Sequence, residues 1–311
     1  MLLEVLVNNL WHCLRKGMTY ITIIIKRSKS LLLVLIFLAL NANALTELKF
    51  FQTDHRYAYR IELLTLAMDK TLATDGPYSL MPLNQSVTQL RGLHMLNKNR
   101  EINVAFLSTN QAREEKYLSV KIPMLRGILG YRVFLIKDLS IGKFSKMTTL
   151  AELNGEMVAG FGSHWADMKI LTSNDIPVIG SVKYETLFAM LANERFDYFP
   201  RGINEAWVEI EKQKKHFPRL LVEKSMAFYY PYPVYFYVQK QNTQLASRIE
   251  RGLIKAMGDG SFKALFLRHH QDIIDKANLP NRKIFVLDNP NLTQQTPEPD
   301  TSWWLPRSKL H

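Results

Sequence analysis

Short apolar runs alternate with segments of helical period from Leu45 onward, a pattern typical of an α/β protein with a mainly parallel sheet. In Tyr57–Leu72 the apolar residues recur at helical spacing, and Ser86 is a candidate N-cap for the following helix. The first region therefore predicts a β-α-β-α-β unit with these elements: strand Leu48–Phe51, helix Tyr57–Leu72, strand Tyr78–Leu83, helix Ser86–Asn97 and strand Ile102–Leu107.

A second alternating series follows the strand predicted at Ile128–Ile136 and the linker-like stretch Lys137–Thr149. It predicts a smaller α/β unit with strands at Met157–Phe161, Pro177–Ile179 and Phe196–Phe199, and helices from Trp165 and over Glu185–Asn193. The aromatic run Tyr229–Tyr237 is expected to be an extended crossing segment, because its two prolines forbid a regular helix. Two amphipathic helices are then predicted, over Leu245–Met257 and Ser261–His270.

The N-terminal region has the organisation of a secretory signal. A basic cluster precedes ten apolar residues, Leu31–Leu40, and an Ala-x-Ala site ends at Ala44. A membrane anchor would need about 20 apolar residues to cross the hydrocarbon. We therefore expect residues 1–44 to be a cleaved signal peptide, with Met18 as a possible true start, and we expect the rest of the chain in the periplasm.

Composition excludes several classes of protein. The 311 residues are 47% hydrophobic and 22% charged, which excludes a disordered chain. The single cysteine, Cys13, excludes a disulfide framework and a cysteine-based zinc site. The formal net charge of +12 comes from dispersed basic residues without a nucleic-acid-binding motif, so no nucleic-acid partner is expected. Motifs for hydrolases, NTPases and metal sites are also missing, and we expect neither a cofactor nor a metal.

Three local stretches resemble the family 3 periplasmic solute-binding proteins, the polar amino-acid receptors of ABC importers. They are Asn103–Val120, Gly155–Leu171 and Glu185–Trp207. The resemblance implies an α/β, two-lobed periplasmic binding protein type II fold with a hinge. Residues 45–136 and 233–311 would form lobe 1, and residues 137–232 would form lobe 2. It also implies a monomer that captures a small polar ligand, an amino acid or an organic anion, for a membrane permease or a sensor.

The resemblance assigns the ligand carboxylate to Arg113, which falls on the family's clamping arginine. A guanidinium suits this role because its planar fork donates two parallel hydrogen bonds to a carboxylate. The alternative is a surface arginine paired with Glu114 or Glu115.

The second lobe is expected to contribute Ser163 and His164, at a helix N-terminus that favours an anion, although Ser163 could also be a simple N-cap. The family aspartate that takes the ligand amino group would fall at Gly202, beside Arg201. Glu205 could supply the missing negative charge from one turn on. Arg201 could instead favour an anionic ligand, or pair with Asp197 or Glu205. Tyr57 is expected near the cleft mouth, where its ring could stack on a ligand.

Two other functions remain open at this point. Some dehydratases use the same two-lobed fold, and Glu205, His164 and Asp54 would be the candidate acids and bases. The lost aspartate is also compatible with an interaction protein that has no working cleft.

Overall fold

The computed structural model describes residues 45–85 and 87–297. The signal peptide, the alternative start at Met18, the cysteine and the expected N-cap at Ser86 lie outside these residues. The described chain divides into two compact units, residues 45–47 with 72–79 and residues 48–71 with 80–297. Within these ranges no helix is both long and apolar enough to cross a membrane.

The smaller unit contains the start of two strands and a short helix. The Thr46 N–H donates to the Pro77 carbonyl at 3.0 Å, which begins the pairing of strands β1 (Thr46–Phe50) and β2 (Tyr78–Pro82). Helix Leu72–Asp75 ends at Gly76, whose φ of 80° makes the turn into β2. Glycine suits this position because a positive φ costs it no steric clash.

The larger unit contains two further sheets. The first is three-stranded and antiparallel, in the order β3 (Ala105–Ser108), β11 (Val234–Gln239), β4 (Tyr117–Val120). Helix Leu72–Asp75 of the smaller unit is numbered α2. Five helices belong with the three-stranded sheet: Ala58–Asp69 (α1), Gln89–Lys98 (α3), Gln111–Lys116 (α4), Thr243–Gly258 (α10) and Ser261–Ala277 (α11). We call this sheet with these five helices the first half.

The second sheet has seven strands and mixes parallel and antiparallel pairs. Its order is β12-β10-β5-β8-β6-β7, and β9 also pairs with β5. The strands are β5 (Tyr131–Lys137), β6 (Ala159–Gly162), β7 (Val178–Ser181), β8 (Tyr198–Gly202), β9 (Leu220–Val222), β10 (Met226–Tyr229) and β12 (Lys283–Val286). Its helices are Ile141–Phe144 (α5), Leu150–Glu156 (α6), Met168–Ser173 (α7), Tyr184–Ala192 (α8) and Ala206–Gln213 (α9). We call this set the second half.

The core of the second half is aromatic. Phe134 on β5 lies with ring centroids 4.7 Å from both Tyr198 on β8 and Phe228 on β10. Every residue of β5 except the last is buried, which explains why this strand reads as an uninterrupted apolar run apart from Arg132.

The chain passes between the two halves in paired segments. Residues 121–130 lead from β4 to β5, and residues 230–233 return from β10 to β11. The segments lie side by side, because Met124 N–H donates to Val234 O at 3.0 Å and Tyr230 N–H donates to Gly130 O at 3.2 Å. The aromatic run thus is the expected crossing segment, and the expected two-lobed α/β fold with a hinge is confirmed.

Three details differ from the expectations. The mainly parallel sheet is not found among the described residues, because the three-stranded sheet is antiparallel and β5 pairs antiparallel with β8, β9 and β10 in the larger one. The helix expected from Trp165 begins at Met168, because residues 163–167 form turns in which the Trp165 ring packs edge-on against Phe161, with centroids 4.9 Å apart. Thr88, whose side chain accepts from Arg91 N–H, caps α3. The lobe boundaries at 136/137 and 232/233 stay a prediction. Strand β5, which reaches the first of them, pairs within the larger sheet.

Candidate binding site at the chain crossings

Arg113 lies on α4, directly after the end of β3. Asn110 caps this helix by accepting a hydrogen bond from Arg113 N–H at 2.9 Å. One guanidinium nitrogen, Nη1, donates to the Ser108 carbonyl at 2.5 Å and to Ser108 Oγ at 3.0 Å. Among the described residues no carboxylate pairs with Arg113, since Glu114 pairs with Lys121 and Glu115 accepts from Gln111. The rest of its fork can therefore receive a ligand carboxylate.

The second half presents a buried ionic network to the same region. Arg132, on β5, donates from Nε to the Tyr230 hydroxyl at 2.6 Å and from Nη2 to Asp167 at 2.5 Å. The Tyr230 hydroxyl also donates to Asp167, at 2.5 Å. Burial opposes ionisation of Asp167, but the charge of Arg132 and the hydrogen bonds around it outweigh this and hold the pKa of Asp167 below its usual value.

Tyr232, on the crossing segment, lies near charged groups of both halves. Burial raises the pKa of its hydroxyl and the Asp167 carboxylate adds to this, while Ser108, Arg132 and Arg113 act in the opposite direction. The hydroxyl therefore faces groups of both halves. We call Ser108, Arg113, Arg132, Asp167, Tyr230 and Tyr232 the junction cluster.

Arg201 is buried beside this cluster, and its charge is already compensated. Its guanidinium makes two hydrogen bonds to Glu209, at 2.7 and 2.5 Å, and lies 3.1 Å from Glu205. Burial works against the charged form, but the two carboxylates outweigh it and raise the pKa of Arg201. The group also lies 4.6 Å from the ring centroid of Trp165. Of the alternatives above, pairing with Glu205 is observed, whereas Asp197 accepts from Val158 N–H at 2.8 Å.

Gly202, the position that the resemblance assigns to the ligand-binding aspartate, is closely surrounded by the ends of side chains. A Cβ at this position would lie 2.7 Å from Arg132 Nη1 and 2.6 Å from Asn204 Oδ1. The Arg132 guanidinium therefore lies directly beside this position. Around it, the carboxylates of Asp167, Glu205 and Glu209 outnumber the guanidinium groups of Arg132 and Arg201. Glu205 is the most exposed of the three, with 41% of its side chain accessible.

The remaining expected site residues lie apart from the junction cluster. Ser163 N–H donates to Ser181 O at 2.9 Å and so extends the pairing of β6 with β7, away from the start of α7. His164 is exposed. Tyr57 has Arg56 and Arg60 at 5.3 and 5.0 Å from its ring centroid. Within the described residues no hydrogen bond or ion pair joins these three to the cluster, so their ligand contacts stay predictions.

The three residues considered as acids and bases of a dehydratase are not bonded to one another among the described residues. Asp54 is exposed and pairs with its neighbours His55 and Arg56, at 3.2 and 3.4 Å. In the described part of the chain, no hydrogen bond or ion pair links Asp54, His164 and Glu205 to one another.

Sequence reasoning missed Arg132, Asp167 and Glu209, whereas Tyr230 and Tyr232 belong to the aromatic run that was expected at the crossing. One signal was present: Arg132 is the charged residue in the strand sequence ILGYRVFLI, and a charge buried in a strand needs a partner. Nothing in the sequence identifies that partner as Asp167, 35 residues away along the chain.

No protein-family model and no curated protein matches the chain. Similar solved structures include a probable amino-acid ABC transporter extracellular-binding protein from Bacillus subtilis, at 15% identity and a TM-score of 0.48, covering 72% of this chain and 96% of that one. An ancestral arginine-binding protein bound to arginine has 14% identity, a TM-score of 0.44 and coverages of 72% and 96%. A histidine kinase sensor domain with similarity to periplasmic binding proteins has 14% identity, a TM-score of 0.44 and coverages of 72% and 93%. These structures are of the class that the sequence resembles.

Proposed function

We propose that this chain captures a small polar ligand at the junction cluster by closing its two halves about the paired crossing segments. The observation that carries the proposal is the guanidinium of Arg113, which lies where the halves meet and has no carboxylate partner among the described residues. A cation left without a counter-ion at such a junction favours an anionic group of a ligand.

The ligand chemistry follows from the charges of the two halves. Arg113 on the first half supplies the fork for a carboxylate. On the second half the carboxylates outnumber the guanidinium groups, and Glu205 is the one with an accessible side chain. A ligand ammonium group would be stabilised there. An amino acid therefore fits this pair of charges better than a plain organic anion, with Tyr57, Ser163 and His164 as further proposed contacts and Arg201 as the residue that holds Glu205.

Closure would work as a population shift. The two crossing segments are short and extended, and small changes in their backbone angles can rotate one half against the other. A ligand that contacts both Arg113 and Glu205 stabilises the closed arrangement by its extra contacts there. We propose that the chain acts in the periplasm after removal of residues 1–44, and that the closed form is recognised by a membrane partner, the permease of an ABC importer.

A thermal-shift screen tests this function. The chain is mixed separately with amino acids, di- and tricarboxylates, polyamines and sugars, and the screen is repeated with Arg113→Ala and with Arg91→Ala, an exposed arginine on α3. A ligand at about 100 times its dissociation constant adds roughly 2.7 kcal/mol, which raises Tm by a few degrees.

The expected result is a shift with amino acids that disappears in Arg113→Ala and persists in Arg91→Ala. A shift with dicarboxylates alone would replace the amino-acid assignment by an anionic one. No shift with any compound, from a protein that melts cooperatively, would contradict the proposal.

A further inference from the structure

After β12 the chain continues as a segment without regular strand or helix, residues 287–297, which we call the C-terminal strap. Its start is attached to the second half. Leu287 N–H donates to Tyr229 O at 2.8 Å. Asp288 N–H donates to Asn174 Oδ1 at 2.9 Å, and Asn174 Nδ2 donates back to Asp288 O at 2.8 Å.

The strap then passes the crossing segment and reaches the first half. Asn289 Nδ2 donates to Pro231 O, between the two prolines of the crossing, at 2.8 Å. Farther on, Thr293 Oγ1 donates to Glu114 Oε2 at 2.9 Å, and Lys121 Nζ donates to Gln295 O at 2.8 Å. One segment of eleven residues therefore contacts the second half, the crossing segment and the first half.

Glu114 is the main attachment point on the first half. Only 6% of its side chain is exposed, and it also accepts a hydrogen bond from Thr109 and lies 3.2 Å from Lys121. Burial acts to raise its pKa, but the hydrogen bonds from Thr109, Thr293 and Lys121 outweigh burial and lower it. The carboxylate is therefore ionised at neutral pH. Hydrogen bonds to an ionised acceptor are about twice as strong as neutral ones.

The end of the strap is held in a fixed shape. Thr296 N–H donates to Thr293 O at 3.0 Å, and Thr293 N–H donates to Thr296 Oγ1 at 3.2 Å. This turn orients the Thr293 hydroxyl toward Glu114. The attachment is thus made by a structured turn on a buried carboxylate.

We propose that the structure shows the two halves in their closed arrangement and that the C-terminal strap is a tether that holds them there. The inference rests on the hinge of the proposed function. Because the strap is bonded to both halves, rotation about the crossing segments must break its contacts at one end. The contacts at Glu114 and Lys121 are the ones that open, since the other end continues directly from strand β12 of the second sheet.

The tether changes how the receptor responds to its ligand. A chain biased toward the closed arrangement binds more tightly, because apparent affinity scales with the fraction of competent conformer. It also releases the ligand more slowly, since opening must break the strap contacts first. The strap therefore tunes the sensitivity of the site without contacting the ligand.

The test measures the distance between the halves without ligand. The full chain first carries Cys13→Ser, which removes its single cysteine. Spin labels are then attached to two new cysteines at exposed positions, Lys98→Cys on α3 and Lys183→Cys just before α8. The distance distribution is compared among this chain, Thr293→Val and Lys121→Met. Thr172→Val is the matched control, because Thr172 is exposed and, within the described part of the chain, its hydroxyl bonds only to its own helix, at 3.2 and 3.3 Å.

Thr293→Val and Lys121→Met should each raise the ratio of open to closed populations roughly tenfold, while Thr172→Val leaves it unchanged. Identical distributions in all four chains would overturn the tether. If the two strap variants open but no compound from the ligand screen restores the short distance, the tether stands and the proposed receptor function fails.

Discussion

At the scale of single residues, buried charges determine the candidate site. Arg132 and Arg201 are both buried. Arg132 is paired with Asp167, 35 residues along the chain, and Arg201 with Glu205 and Glu209, four and eight residues along the chain. The sequence points to Arg201, because it stands beside the position of a family ligand residue. The alternative that Arg201 pairs with Glu205 is observed, but Glu209, which accepts two hydrogen bonds from Arg201, was not recognised as a partner. Arg113 is the reverse case. The sequence predicts that it contacts the ligand, and only the structure shows that no carboxylate among the described residues pairs with it.

Glu209→Gln tests whether the protein's stability depends on the pairing of the buried Arg201 charge with Glu209. Removing one partner of a buried pair leaves an uncompensated charge, which costs about 3–5 kcal/mol. The remaining contact with Glu205 should keep the loss near the lower end of that range. The measurement is the free energy of unfolding in urea, with Glu211→Gln as control. Glu211 makes an exposed pair with Lys214 at 3.6 Å, and such pairs contribute about 0–1 kcal/mol. Equal effects of the two substitutions would contradict the buried network.

At the scale of elements, the sequence predicts the long helices well and the short ones poorly. Helix α10 follows from the regular spacing of Leu245, Ile249 and Leu253, all buried in the structure. Helix α7 begins three residues later than expected, because the preceding turns depend on where the Trp165 ring packs. The Trp165 ring also stacks on Phe199, with centroids 6.0 Å apart, and packing against a residue so far along the chain leaves no periodic signal in the sequence.

The contact between α1 and α10 depends on a glycine. A Cβ at Gly252 would lie 2.0 Å from the Ala67 carbonyl oxygen, whereas a Cβ at Gly258 of the same helix meets nothing within 4 Å. Gly252→Ala should therefore destabilise the protein by about 1–3 kcal/mol, as overpacking does. Gly258→Ala should stabilise it by about 0.5–1 kcal/mol through helix propensity.

Urea unfolding of the two alanine variants measures both effects. A Gly252→Ala protein as stable as the wild type would show that the helices can separate at no cost, which would contradict the close approach.

At the scale of the whole described chain, the order of elements was predictable and their sheet membership was less so. The aromatic run identified the crossing segment, because its two prolines forbid a regular helix there. Strand β5 was assigned to the first lobe, since its apolar sequence is compatible with either sheet. Its pairing with β8, β9 and β10 depends on long-range register, which one sequence does not encode in any local pattern.

The central claim is that one ligand closes the two halves on Arg113 and Glu205. The most direct measurement is the distance between labels at Lys98→Cys and Lys183→Cys, in the Cys13→Ser chain, before and after saturation with the compound found in the screen. The account predicts that the ligand removes the longer-distance population, and that the same concentration leaves the Arg113→Ala chain unchanged. Saturating binding with an unchanged distance distribution would contradict closure and place the ligand outside the junction of the halves.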